Sequence, residues 1–209
     1  MFYFVKTPFW IKKLFKRQYW AMPGTRKVIY LSFDDGPNDA VTKFVLDELD
    51  KYNAKATFFC LGKNVVNNPE VYQRILENGH AVGNHTYDHL NGWKTKEDLY
   101  IDNVNKARQY INSNLFRPPY GRVTRSQVTA LTGPENQLHT IMWDVLSGDF
   151  DETISNEKCC KNVIKNTKPG SIIVFHDSEK AYAKMSYCLP LVLQYFSAKG
   201  FVFEQIILG

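Results

Sequence analysis

Six short β-rich apolar runs recur along the 209-residue chain, at residues 28–33, 56–61, 81–85, 139–143, 171–176 and 201–206. Helical patterns lie between them, near 39–52, 69–78, 95–113, 154–166 and 185–199, each with apolar residues at three- and four-residue spacing. Strand followed by helix, repeated, predicts a parallel β/α architecture. A further, irregular strand is expected over 115–120, where Pro118 and Pro119 cannot both belong to a central ladder. A distorted (β/α) barrel with about seven parallel strands fits this pattern better than an open sheet, although periodicity alone does not separate the two. In either form, function is expected at the carboxyl ends of the strands, and the polar clusters fall there.

The length predicts one core, and 44% apolar with 22% charged residues is ordinary for a globular chain. The net charge of +5 is unevenly spread. Lys6, Lys12, Lys13, Lys16, Arg17, Arg26 and Lys27 fall in the first 27 residues with no acid among them, which leaves 19 bases against 21 acids in the remainder. The body therefore offers no basic face, and nucleic acid is not an expected partner. Two parts are read: a basic amphipathic segment over 1–26 and the main domain over 27–209. Within residues 8–20, Trp10, Ile11, Leu14 and Phe15 share one helical face, while Lys12, Lys13, Lys16 and Arg17 lie elsewhere. Such a helix can close the end of the domain or lie on an anionic membrane surface; the first reading is preferred, since amphipathic helices mostly pack on their own core.

No apolar run reaches a membrane span, and Met1 to Val5 is too short for a signal-peptide core. A monomer, cytoplasmic or peripheral to the membrane, is expected. Cys60, Cys159, Cys160 and Cys188 show no CxxC spacing and read as reduced thiols, Cys60 as a small buried hydrophobe.

The first polar cluster is Asp34-Asp35-Gly36-Pro37, at the end of an apolar strand. Neighbours on a strand point to opposite faces, so both acids reach one site only if the chain turns between or just after them, as Gly36 and Pro37 allow. If a metal takes one carboxylate, the other is free to accept a proton from water; the alternative is an acid pair capping the next helix. The second cluster, His85-Thr86-Tyr87-Asp88-His89, spaces two imidazoles four residues apart, which on a helical turn share a face. Two histidines and a carboxylate suit a metal and leave positions open, although an HxxxH pair alone is as often a surface feature. His80 and His139 sit in no comparable setting and read as structural. In Arg117-Pro118-Pro119-Tyr120-Gly121 a rigid backbone can present an amide to an oxyanion, and Arg117 can pin a carboxylate. His176, at another strand end, is a candidate general acid whose pKa Asp149 could raise.

These segments, in this order over residues 27–207, closely resemble the NodB-homology polysaccharide deacetylases, carbohydrate esterase family 4. SFDDGP is similar to the family's TFDDGP and HTYDH to its H-[ST]-x-x-H, while RPPYG stands unaltered. The resemblance implies a distorted (β/α) barrel that removes N-acetyl groups from an amino-sugar glycan, such as a chitin-like oligomer, peptidoglycan or a lipid-linked sugar, and releases acetate. It implies one divalent metal on Asp35, His85 and His89, zinc by default, with cobalt, nickel or manganese also suited to this donor set. It further implies Asp34 as general base, Arg117 orienting it, the Tyr120 amide at the oxyanion, His176 as proton donor to the leaving amine and Asp149 tuning His176. Trp143, Phe150 and Tyr120 are expected to line a groove around the acetyl methyl.

Two departures stand out: Leu146 replaces a frequent aspartate, and Phe150 replaces the usual groove tryptophan, keeping an aromatic face without the indole N–H. The same site on an O-acetyl ester or a small cyclic amide, and a catalytically silent glycan-binding protein of this fold, remain as alternatives.

Overall fold

Strand β1 (Val28–Asp34) is buried along its whole length and sorts its residues by parity. Ile29, Leu31 and Phe33 join the large apolar core against the helices, while Val28 and Tyr30 join a separate cluster on the other face. Ser32 and Asp34 share the parity of Val28 and Tyr30, so β1 turns its polar side chains towards the inside of the curled sheet. The computed structural model describes residues 3–208. Met1 and Phe2, at the start of the apolar run considered as a leader, lie outside the described residues.

The remaining strands are β2 (Ala56–Cys60), β3 (Ala81–Asn84), β4 (Leu115–Phe116), β5 (His139–Thr140), β6 (Val145–Leu146), β7 (Ile172–His176) and β8 (Val202–Phe203). They pair in the order β5-β4-β3-β2-β1-β7-β6, with β8 alongside β1, and every pair is parallel. Only four residues separate β5 from β6, yet the first pairs with β4 and the second with β7 at the far end of the order. The sheet therefore curls round on itself, which is the distorted barrel expected from the strand–helix alternation. Of the run predicted over 139–143 only His139–Thr140 is strand, and β6 lies beyond its predicted end, because this stretch must pair with β4 first and β7 next.

The helices are α1 (Phe9–Leu14), α2 (Asp39–Asp50), α3 (Gly62–Asn67), α4 (Pro69–Glu77), α5 (Glu97–Arg108), α6 (Arg125–Thr132), α7 (Asn156–Asn166) and α8 (Glu179–Ser197). Helix α2 shows how the outer layer forms. The Asn38 side chain accepts the Val41 N–H at its start, and Val41, Val45, Leu46 and Leu49 make one buried face, each burial stabilising by roughly 1.5–3 kcal/mol. Helix α8 begins six residues before the predicted start at 185, while α3 and α6 have no counterpart in the predicted set.

The N-terminal segment docks differently from expectation. Its helix covers only six residues and buries none of them; Phe9, Trp10 and Leu14 are 78%, 61% and 56% exposed. Attachment comes instead from Lys6 and Lys12, which both reach the fully buried Asp144, and from β-bridges of Lys6, Tyr19 and Ala21 to Val145, Ile141 and Ser171. Burial would raise the Asp144 carboxyl, but bonds from Lys12, Lys6 and Ser171 outweigh it and hold it below its ordinary value. Among the described residues no helix is long and apolar enough to cross a membrane. All four cysteines are buried and unbridged.

Candidate active site

Asp34 ends β1, and Asp35 follows in the left-handed region at φ 84°, so the chain turns at the second acid. Asp177 fixes that turn: its Oδ1 accepts the Gly36 N–H at 3.0 Å and its Oδ2 accepts the Thr42 hydroxyl at 2.6 Å. A Cβ on Gly36 would stand 2.0 Å from Asp177 Oδ2, so only glycine allows this approach. Burial pushes the Asp177 carboxyl up to about 7, with Asp35 nearby adding to the rise.

Arg117 comes from just beyond β4 and is fully buried inside the curl. Its Nη1 donates to Asp34 Oδ1 at 2.7 Å and to Ser32 Oγ at 2.8 Å; Nε and Nη2 donate to the carbonyls of Ile141 and Met142. Its guanidinium also lies 3.9 Å from the centre of the Phe59 ring. A buried charge is tolerable only when paired and hydrogen-bonded, and this cage supplies both.

The two histidines converge by a route other than the helical turn expected of their spacing. Residues 85–90 form a loop, with Thr86 at φ 67° and His89 at φ 64°. Side chains hold it: Asn84 Oδ1 accepts Thr86 N–H, Thr86 Oγ1 accepts His89 N–H, and Asn103 Oδ1 accepts the amides of Tyr87 and Asp88. His85 Nε2 then stands 3.6 Å and His89 Nε2 3.1 Å from Asp35 Oδ1. His85 Nδ1 is 2.7 Å from the Arg117 carbonyl, which can only accept, so Nδ1 carries the hydrogen and the Nε2 lone pair faces Asp35. His89 Nδ1 bonds the Tyr120 hydroxyl at 3.0 Å. Tyr120 is itself left-handed at φ 59°, so four non-glycine residues in this sparse region gather at one place.

His176 ends β7 directly opposite Asp34 in the parallel register. Asp149 grips it twice, accepting the His176 backbone N–H at 2.7 Å and lying 2.8 Å from Nδ1. Burial would lower the His176 pKa, but Asp149, with Asp35 and Asp34 behind it, raises it to about 10. The Phe150 ring meets the His176 ring edge to face at 5.3 Å, and the Trp143 ring backs Gly121, where a Cβ would come within 2.6 Å of it. All ten residues singled out from the sequence thus fall in one connected region. His80 is structural, accepting the Ala56 N–H at Nδ1.

Asp35, His85 and His89 could hold one divalent cation, since one donor atom from each lies within 4.8 Å of the others. Asp35 Oδ1 is buried and has no hydrogen-bond partner among the described residues, as a metal ligand would be left in the metal-free chain. Burial would raise this carboxyl, but the close His89 imidazole, with His176 and His85, holds it well below the usual carboxylate range. Burial lowers His85 to about 4, so it is neutral and ligand-ready at ordinary pH. Asp35 and His89 keep 22% and 23% of their side-chain exposure, which leaves one side open to substrate.

Sequence reasoning missed two features here. Asp177 gave no signal beyond its place after His176, and Trp93 was an aromatic four residues past His89 in a polar loop. The indole is exposed, donates from Nε1 to the Val123 carbonyl and is stacked by Arg122 at 3.9 Å.

Fold and site together define a class: a β/α hydrolase whose Asp-His-His cluster suits one divalent cation. The chain belongs to the polysaccharide deacetylase family, whose sequence pattern matches residues 21–137. It is 33% identical over 202 residues to a peptidoglycan-N-acetylglucosamine deacetylase of Bacillus cereus, an alignment covering 93% of this chain and 72% of that protein. It is 34% identical over 169 residues to a chitooligosaccharide deacetylase of a Bradyrhizobium species, covering 78% and 75%. Among solved structures, the Bc1960 peptidoglycan N-acetylglucosamine deacetylase superposes with a TM-score of 0.86 at 31% identity, covering 96% of this chain and 95% of that one.

Proposed function

We propose that this protein hydrolyses the N-acetyl group of an amino-sugar glycan, adding water across the amide and releasing acetate and a free amine. One observation carries the reading: Asp34 and His176 are partners in the β1–β7 register, so their side chains leave the same face of the sheet, beside the Asp35, His85 and His89 cluster. A base and an acid on either side of one electrophilic centre is what amide hydrolysis needs.

Asp34 takes the proton from the attacking water, and the buried Arg117 keeps its carboxylate oriented. Asp35, His85 and His89 would hold the cation, zinc by default and cobalt, nickel or manganese on the same donors. When bound, it supplies a Lewis acid for the acetamide carbonyl and an acidified water. The Tyr120 amide donates to the oxyanion as the tetrahedral centre forms. His176 delivers its proton to nitrogen, the C–N bond breaks, and Asp149 stabilises the imidazolium beforehand. Trp143 and Phe150 shape the wall around the acetyl methyl.

The test is acetate release across chitin oligomers, peptidoglycan fragments and acetylated lipid-linked sugars, with metal analysis of the same sample. One acetate per new amine is expected. Release from O-acetyl esters alone would replace the reading with an esterase, and glycan binding without release would replace it with a lectin-like role.

A further inference from the structure

We propose that the groove beside the site is an anion subsite, binding carboxylates on the glycan strand, with Trp93 as the sugar platform leading to it. This rests on the deacetylase reading and narrows it to a carboxylate-bearing substrate.

A continuous set of contacts runs from the cation cradle to the groove. Tyr120 bonds His89, and two residues on, the Arg122 carbonyl accepts the Gly92 N–H at 3.0 Å. The Arg122 guanidinium covers the Trp93 ring, and the Val123 carbonyl accepts the indole N–H at 3.2 Å. Trp93 is thereby fixed while 61% exposed, so stacking a sugar on it costs little side-chain entropy.

Val123 also lines the groove, which has a volume of about 510 Å³. Two residues lie between it and Tyr120, and three Cα–Cα steps put the two backbones at most roughly 11 Å apart. Lys13, Lys16, Arg17 and Arg125 supply the charge, Leu14 and Val128 the apolar floor, and no acid among the described residues lines the groove. Among the described residues, Lys13, Lys16 and Arg125 form no ion pair. The contrast with the rest of the chain is informative: residues 28–209 carry more acids than bases, so the groove is basic because the N-terminal segment folds down beside α6. Uncompensated cations in a concave site of low polarity attract anions more strongly than the same cations scattered over a surface. The larger cleft, about 950 Å³, is a weaker candidate because Asn114 and His139 place it at the amino ends of β4 and β5, away from the chemistry.

The experiment compares three soluble probes: a neutral chitin oligomer, a muropeptide-type oligomer bearing lactyl and peptide carboxylates, and the latter with its carboxylates amidated. Against the wild type stands the triple variant Lys13→Ala, Lys16→Ala, Arg125→Ala, all at exposed positions. The variant is expected to raise KM for the carboxylate-bearing oligomer about tenfold, with kcat retained and the amidated and neutral probes changed less than about twofold. Wild-type KM for the carboxylate-bearing probe should rise with added salt. Calorimetric binding of the same probes to Asp34→Asn reads the subsite without turnover, so a chain that releases no acetate would overturn the deacetylase reading and still leave the subsite measurable. Equal effects on all three probes, no effect on any, or loss of anionic-vesicle binding with glycan affinity unchanged would each overturn the subsite. Trp93→Ala should weaken all three, and Trp93→Phe should restore most of the loss.

Discussion

The fully buried Arg117 guanidinium donates to Asp34 Oδ1 at 2.7 Å while its other nitrogens bond the carbonyls of Ile141 and Met142, so one side chain ties the site to the stretch that curls the sheet. A lysine there keeps the charge but loses the planar fork and most of its bonds. Arg117→Lys should lower stability by about 2–4 kcal/mol and acetate release at least about a hundredfold. Urea unfolding and kcat on the same preparation would check both.

The chain turns at Asp35, so the tasks proposed for Asp34 and Asp35 can be tested apart. Asp34→Asn should retain cation while kcat falls by about 10² to 10⁴. Metal analysis alongside the acetate assay reads the two effects apart; substantial residual turnover would remove Asp34 from its role.

His176 carries its proton far above the ordinary histidine range, to about 10, against burial, which alone would lower it. As the proposed acid, His176 works while protonated, so removing the Asp149 carboxylate should lower its pKa and shift the alkaline limb of kcat/KM to lower pH in Asp149→Asn. Linkage has the same sign. A folded-state pKa raised above the unfolded value near 6.5 gives stability fully present below about pH 6.5 and lost as pH rises towards 10. The stability difference between wild type and Asp149→Asn should therefore narrow across that window in pH-dependent denaturation.

Asp177 accepts from Gly36 and Thr42 and so sets the position of the Asp35 turn. Asp177→Ala leaves a buried amide and hydroxyl without this acceptor, a cost of about 1–3 kcal/mol for each group left unpaired. Cation affinity measured by competition with a chelator should fall with it, whereas a purely structural role would lower stability alone.

Much of this was legible in the chain. Parallel strands covered on both faces are near-continuous apolar runs, so β1, β2 and β7 show plainly in sequence, and strand-end acids and histidines stand out against them. What could not be read depends on partners far away. The division of 139–146 into β5 and β6 is decided by β4 and β7, not by residues 139–146 themselves. The histidine spacing suggested a helical turn, but Asn84 and Asn103 supply side-chain acceptors that stabilise a loop instead. The N-terminal segment looked like a helix docking by its apolar stripe; Lys6 and Lys12 prevail because Asp144, more than 130 residues on, is buried and needs their charge.

Asp35, His85 and His89 are placed to gather one cation, and hydrolysis is expected to depend on it. Its most direct test is metal content and acetate release measured together on wild type, on chelated wild type and on His89→Ala. One divalent ion per chain is expected, with activity that disappears on chelation, returns on adding the ion back, and is absent with the ion in His89→Ala. Full acetate release by chelated protein, or by His89→Ala without bound metal, would contradict it.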